Sequence, residues 1–255
     1  MKMKSKIICF FLLVFSANFV VAQELKKEYQ KGIIYFIDCV KKDKKEAVAE
    51  LVKYPFKREY PIPVIKNKTE FIKRYNEIFD ITLKDKIIKS NPSKDWEQVG
   101  WRGIMLNNGD MWIDEDGRLI AINYQSKLES DLKVKLIKAE QNAVHSSLAK
   151  FEEPVCVLVT SKFKIRIDDL GNQNYRYASW SQNQKMSEKP DLVITNGKFV
   201  ADGTGGNHHY DFKRGQYLYE CYIAPLREKE ASPASLTIYN KENVILSQDA
   251  RIVSE

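Results

Sequence analysis

Residues 99–124 read VGWRGIMLNNGDMWIDEDGRLIAINY, three short apolar runs separated by Asn108-Gly109 and Asp116-Gly117. Both dipeptides tolerate the positive φ angles that tight hairpin turns need, and the flanking residues are aromatic, β-branched or long aliphatic. The stretch predicts a strand meander closed by two-residue hairpins. Side chains alternate along a strand, so Trp101, Gly103 and Met105 are expected on one face and Arg102, Ile104 and Leu106 on the other. A sheet with one apolar face needs a cover, and the segments just upstream have helical periodicity.

From Glu24 to Lys53 the apolar positions Leu25, Tyr29, Ile33, Phe36, Ile37, Val40, Val48 and Leu51 recur mostly at intervals of three and four, which predicts an amphipathic helix split near Lys42-Asp43-Lys44. Pro55, Pro61 and Pro63 force an extended passage. Asn67 is placed to cap a further helix, with Glu70 three positions on and Phe71, Ile72, Tyr75, Ile78 and Phe79 as its buried face. A short helix over about 83–89 precedes the meander. Helices followed by a meandering sheet predict an α+β domain over residues 23–126.

Residues 127–150 join the halves as a connecting segment, either a helix or a strand at Lys133–Ala139. From 151 to 255 the texture is β: strand-length runs such as Val155–Thr160, Tyr175–Trp180 and Tyr217–Ile223 alternate with Gly-, Asn- and Asp-rich turns. The expected fold class is therefore α+β: helices packed on a meandering antiparallel sheet, then a β-rich sandwich- or barrel-like domain.

The order of long helix, YPFKREYPIP passage (54–63), NKTEFIKRYNEIFD helix (67–80) and GWRGIMLNNGDMWI hairpin (100–113) resembles the cone-shaped nuclear-transport-factor-two-like superfamily over about residues 24–126. That resemblance implies a concave sheet face. It implies no activity, because such folds host enzymes, carriers and dimerisation modules alike. An Asp–His catalytic dyad of that family has no counterpart here, since residues 23–126 contain no histidine.

Three lysines (Lys2, Lys4, Lys6) precede the apolar run Ile7–Phe15, and Val20-Val21-Ala22 ends in a small residue. This is the order of a secretory signal peptide over 1–22, cleaved after Ala22 and implying a periplasmic or secreted protein with no membrane span afterwards. Cleavage removes three lysines and no acid, so the formal charge falls from +7 to +4. No strongly basic stripe remains, which argues against nucleic acid as a partner. Cys39, Cys156 and Cys221 are left, and Cys156 with Cys221 is the candidate disulfide because both sit in strand-like runs.

The sharpest local feature is ADGTGGNHHY, residues 201–210. Asp202, His208 and His209 are the candidate acid/base residues if the chain is an enzyme. The strand-like residues that follow argue against phosphate cradling at a helix start, and adjacent histidines on an extended chain diverge, so no metal site and no cofactor are expected. Tyr175, Tyr177, Trp180, Asn207 and Tyr210 are the candidate binding residues, since Tyr and Trp offer large contact area at low entropic cost. The acids Asp110, Asp114, Glu115 and Asp116 read as turn residues. Whether the chain is an enzyme stays open at this point. The favoured reading is a non-catalytic binding or interaction module of the bacterial cell envelope, engaging a glycan, a peptide or an envelope protein; the alternative is a hydrolase of an envelope or dietary polymer using the Gly-rich His-His loop.

Overall fold

The computed structural model describes residues 25–254, so the signal-peptide segment 1–22 lies outside the described residues. Four helices come first: α1 (Lys27–Lys41), α2 (Lys45–Glu50), α3 (Lys68–Ile78) and α4 (Ile81–Lys89). The expected break falls between α1 and α2, where Asp43 adopts a positive φ of 49°. Asn67 caps α3 by accepting from the Glu70 amide at 3.0 Å, while the Glu70 carboxylate reaches back to the Lys66 amide. Asp80 caps α4 in the same way, through the Leu83 amide.

These helices cover one face of a four-stranded antiparallel sheet in the order β1 (Trp96–Gln98), β2 (Ile104–Leu106), β3 (Met111–Ile113), β4 (Leu119–Ile122). Its core face carries Trp96, Ile104, Leu106, Met111, Ile113, Leu119 and Ile122, packed with Phe36, Phe71, Phe79 and Ile87 from the helices. Burying so many large side chains is the main stabilising term, at about 1.5–3 kcal/mol each.

Two details depart from expectation. The connections after β2 and β3 are four- and five-residue loops rather than two-residue hairpins, although Gly109 and Gly117 do take positive φ. Alternation also fails before Gly103, because Gly100–Arg102 forms a 3-10 turn that puts Trp101 and Arg102 together instead of on opposite faces. Gly103 has φ +103°, and a Cβ there would lie 2.5 Å from the Ile113 carbonyl oxygen, so the turn can be followed directly by a strand only because this residue is glycine.

The connecting segment is a helix, α5 (Lys127–Ala143), followed by a 3-10 turn at Ser146–Leu148. Beyond it, β5 (Glu153–Val159), β6 (Phe163–Asp169), β7 (Tyr175–Ser181), β8 (Leu192–Ala201), β9 (His208–Arg214), β10 (Tyr217–Ile223), β11 (Ala234–Asn240) and β12 (Asn243–Ser254) form an antiparallel up-and-down barrel, closed where β12 pairs with β5. Of the two forms expected for the β-rich half, the barrel is the one adopted. Leu158, Ile165, Ile167, Tyr177, Ile194, Phe212, Cys221 and Leu236 fill the interior, as an eight-stranded barrel allows. Gly197 is part of that packing, since a Cβ would meet the Phe212 ring at 2.2 Å.

Charge, rather than apolar burial, holds α5. Its buried residues are Glu129 and Lys133. Glu129, fully buried, forms a two-pronged pair with Arg58, with Nε to Oε1 at 2.7 Å and Nη2 to Oε2 at 2.5 Å, while Arg58 also donates to the Ile122 and Tyr124 carbonyls. Lys133 bridges Glu59 of the first domain and Glu153 of the barrel. At the far end Glu140 accepts from Tyr60 and from Arg166 on the barrel wall. Arg166 and Arg176 both grip buried Asp168, each at 2.6 Å, and both guanidinium groups lie near the Phe151 ring, Arg166 directly over it at 4.8 Å.

Removing one member of a buried pair strands the other charge, at a cost of about 3–5 kcal/mol. Glu129→Ala is expected to lower denaturant stability by that amount, whereas Lys127→Ala, breaking an exposed pair with Asp131 in the same helix turn, should cost under about 1 kcal/mol. Equal losses in urea unfolding would contradict the clamp.

Candidate functional site

The open face of the sheet does not lie bare. Glu97, Met105, Trp112 and Ala121 follow one another across the four strands, on the side away from the helices. This face, the proline-rich passage and two barrel loops enclose a groove of about 1580 Å³. Trp112 and Ala121 belong to its floor, and Gly205, Gly206 and Pro225 form the barrel side. Trp101, 65% exposed, and Arg102 come from the 3-10 turn. The volume exceeds that of ordinary small-molecule pockets, about 300–1,000 Å³, and suits an elongated ligand.

The charges in the groove divide into spent and unspent. Arg58 is committed to Glu129, Arg118 pairs with Asp114 and Asp116, and Glu59 binds Lys133 and Gln125. Among the described residues, the side chains of Arg102 and Lys53 make no hydrogen bond or ion pair. Lys57 is held below the ordinary lysine range, first by burial and then by the positive charge of Arg227 from the barrel.

The residues singled out from the sequence fall in several places. His208 and His209 point to opposite sides of β9. His208 packs with Phe199 and Tyr210 at the barrel mouth and its Nδ1 lies 2.8 Å from the Gly206 carbonyl oxygen, whereas His209 faces outward near Asp211. Asp202 accepts from the Tyr222 hydroxyl at 2.7 Å. None of the three candidate acid/base residues bonds to another; Asp202 and His209 meet only through Tyr222, whose ring stacks on His209 at 6.4 Å between centroids.

Asn207 is a clasp: its Nδ2 donates to the Leu226 carbonyl and its Oδ1 accepts from the Leu226 amide, both at 2.9 Å. It thereby ties the β8–β9 loop to the β10–β11 loop and fixes Gly205 and Gly206 in the groove wall. The proposed aromatic patch is not a surface. Tyr177 and Tyr210 lie inside the barrel, Tyr175 packs edge-on against Tyr210 at 4.8 Å, and Trp180 is buried on the outer wall under Leu148 and Phe151, donating to the Glu188 carbonyl. Strand alternation alone separates Tyr177 from Trp180.

Cys156 and Cys221 are free thiols, so the disulfide allowed by the sequence is not formed. Both are buried in the barrel interior. Burial pushes the Cys156 thiol up to about 12, with the Asp168 charge adding to it, and raises Cys221 well above its usual value.

The groove residues Trp101, Arg102 and Trp112 carried no motif. For Trp112 the signal was the alternation Met111-Trp112-Ile113, which leaves one tryptophan off the core face; Trp101 and Arg102 had none, because only the structure shows the 3-10 turn before Gly103.

The chain is thus a two-part protein, a helix-covered sheet and a closed barrel, with a groove between them. No protein-family model, curated protein or solved structure matches it. Among the described residues no helix is long and apolar enough to cross a membrane.

Thiols buried this deeply stay protonated and inaccessible at neutral pH. The chain from Gln23 onward is expected to give no reaction with a thiol reagent when native and three reactive thiols in denaturant without reductant. A single thiol in denaturant would mean that two cysteines had bonded.

Proposed function

We propose that this chain is an exported, non-catalytic binding module of the bacterial cell envelope, and that its ligand is a glycan bearing carboxylate groups lying in the groove between sheet and barrel. The observation that carries this reading is the convergence of Trp101 and Trp112 with the uncommitted cations Arg102 and Lys53 in one groove. A tryptophan face covers the apolar side of a sugar ring, and guanidinium groups recognise carboxylates with paired, charge-assisted hydrogen bonds.

The nuclear-transport-factor-two-like resemblance supports the same reading, because it makes the open sheet face a natural ligand floor. Export rests on the lysine-led apolar N-terminus and the small residues before Gln23. The hydrolase alternative draws no support from the Gly-rich loop, where Asp202, His208 and His209 have separate hydrogen-bond and ion-pair partners.

The test is calorimetric titration of the mature chain with an oligogalacturonate and with a neutral maltooligosaccharide of equal length. Binding of the acidic oligosaccharide alone, weakened by salt, is expected. Trp112→Ala and Arg102→Ala should each weaken it by about 2 kcal/mol, roughly 30-fold, as central aromatic and arginine anchors do. Equal binding of the neutral sugar, or unchanged affinity in both variants, would reject the assignment.

A further inference from the structure

The outer wall of the barrel carries a second candidate site, which uses none of the groove-lining residues. Strands β9 and β10 are joined by the two-residue turn Gly215-Gln216, which sets Asp211 opposite Glu220 and His209 opposite Tyr222. Tyr210, Phe212 and Cys221 point inward, so His209, Asp211 and Glu220 share the outer face. One ligand atom from each of the three lies within 4.8 Å of the others. His209 Nε2 and Asp211 Oδ1 are 3.7 Å apart, close to the roughly 3.4 Å edge of a tetrahedron with ~2.1 Å metal–ligand bonds.

An independent observation concerns Asp211 alone. Its Oδ1 is buried and accepts no hydrogen bond among the described residues, an uncompensated state for a charged acceptor. Like charges placed directly opposite on neighbouring strands destabilise a sheet, and no lysine or arginine lies within 4.0 Å of either carboxylate among the described residues; the His209 imidazole is the one basic side chain that does. Lys198, the β8 partner of Asp211, makes no ion pair with it, and Thr237 is the β11 partner of Glu220. The Tyr239 hydroxyl, 3.5 Å from Glu220 Oε1, completes the surroundings.

We propose that His209, Asp211 and Glu220 form a binding site for a divalent transition-metal ion of the zinc type, with a further coordination position open to water. One imidazole and two carboxylates match the ligand preferences of zinc. Calcium takes six to eight oxygens and magnesium a near-ideal octahedron of oxygens, neither of which this trio supplies. The cation would sit where Asp211 Oδ1 lacks a donor and would neutralise the carboxylate pair. The ligands come from two strands of a closed barrel, so their backbones are preorganised.

The experiment strips the mature chain with chelator and titrates it separately with zinc, magnesium and calcium chlorides, reading heat and melting temperature. One zinc per chain with a raised melting point is expected, and no comparable effect from magnesium or calcium at the same concentration. His209→Ala, Asp211→Asn and Glu220→Gln should each weaken zinc at least ~10-fold, while His208→Ala, on the opposite face of the strand, leaves it unchanged. Without metal, Asp211→Asn and Glu220→Gln should be at least as stable as the wild type, because each removes the opposed like charges. This sign reversal separates a ligand from a structural residue. If Asp211→Asn does not fold, Glu220→Gln carries the comparison. Absence of stoichiometric zinc binding, retention of it in the ligand variants, or equal binding of calcium would overturn the site.

Discussion

The relation between the two halves of this protein depends on a helix secured mainly by ion pairs. Helix α5 is 17 residues long, about 25 Å at 1.5 Å per residue. Its first turn is bolted to the sheet domain through Glu129 and Arg58, its middle shares Lys133 between Glu59 and Glu153, and its last turn meets the barrel through Glu140 and Arg166. An apolar seam would tolerate sliding by a residue. A buried two-pronged arginine–carboxylate pair does not, because a shift would leave both charges desolvated without partners. The groove inherits its shape from this register, since its floor belongs to one half and one wall to the other.

The helical half was legible in the sequence because its signals are local. Asn67 and its capped helix, the break at Asp43 and the apolar runs of the meander all depend on neighbours within a few positions. The turn at Gly100–Arg102 was not legible, since alternation assumes continuous strand and nothing in Val99-Gly100-Trp101-Arg102 announces a 3-10 turn. The barrel was half legible: most strands show as apolar runs, but the closure that distinguishes barrel from sandwich lives in the β12–β5 pairing, across most of the domain. The helical state of 127–143 could not be chosen over strand because its buried positions are Glu129 and Lys133, and a periodicity search looks for apolar ones.

The loop at 201–210 drew attention for its composition and turned out to matter through its shape. Glycines 205 and 206 let it lie flat along the groove, and Asn207 staples it to Leu226. The ligands of the proposed metal site are His209, which lies in this stretch, and Asp211 and Glu220, which lie beyond it. A histidine followed at i+2 by an aspartate on a strand, with a glutamate at the mirrored place across a two-residue turn, is readable in principle from alternation and hairpin register; the adjacent His208-His209 pair obscured it by suggesting that the histidines act together.

The seam of the barrel has a consequence for how the chain reaches its native state. Every other strand pairing in the barrel joins sequence neighbours, so each can form as a hairpin within microseconds. Pairing β12 with β5 brings Arg251 against Val159 and carries a register shift between Ile252 and Ser254, so it must gather a domain-length loop before any contact rewards the lost entropy. Until that happens two strand edges and the interior around Cys156 and Cys221 stand open together. Closure of the seam is thus the pairing with the longest loop to gather, and within β12 it falls to residues 251–254.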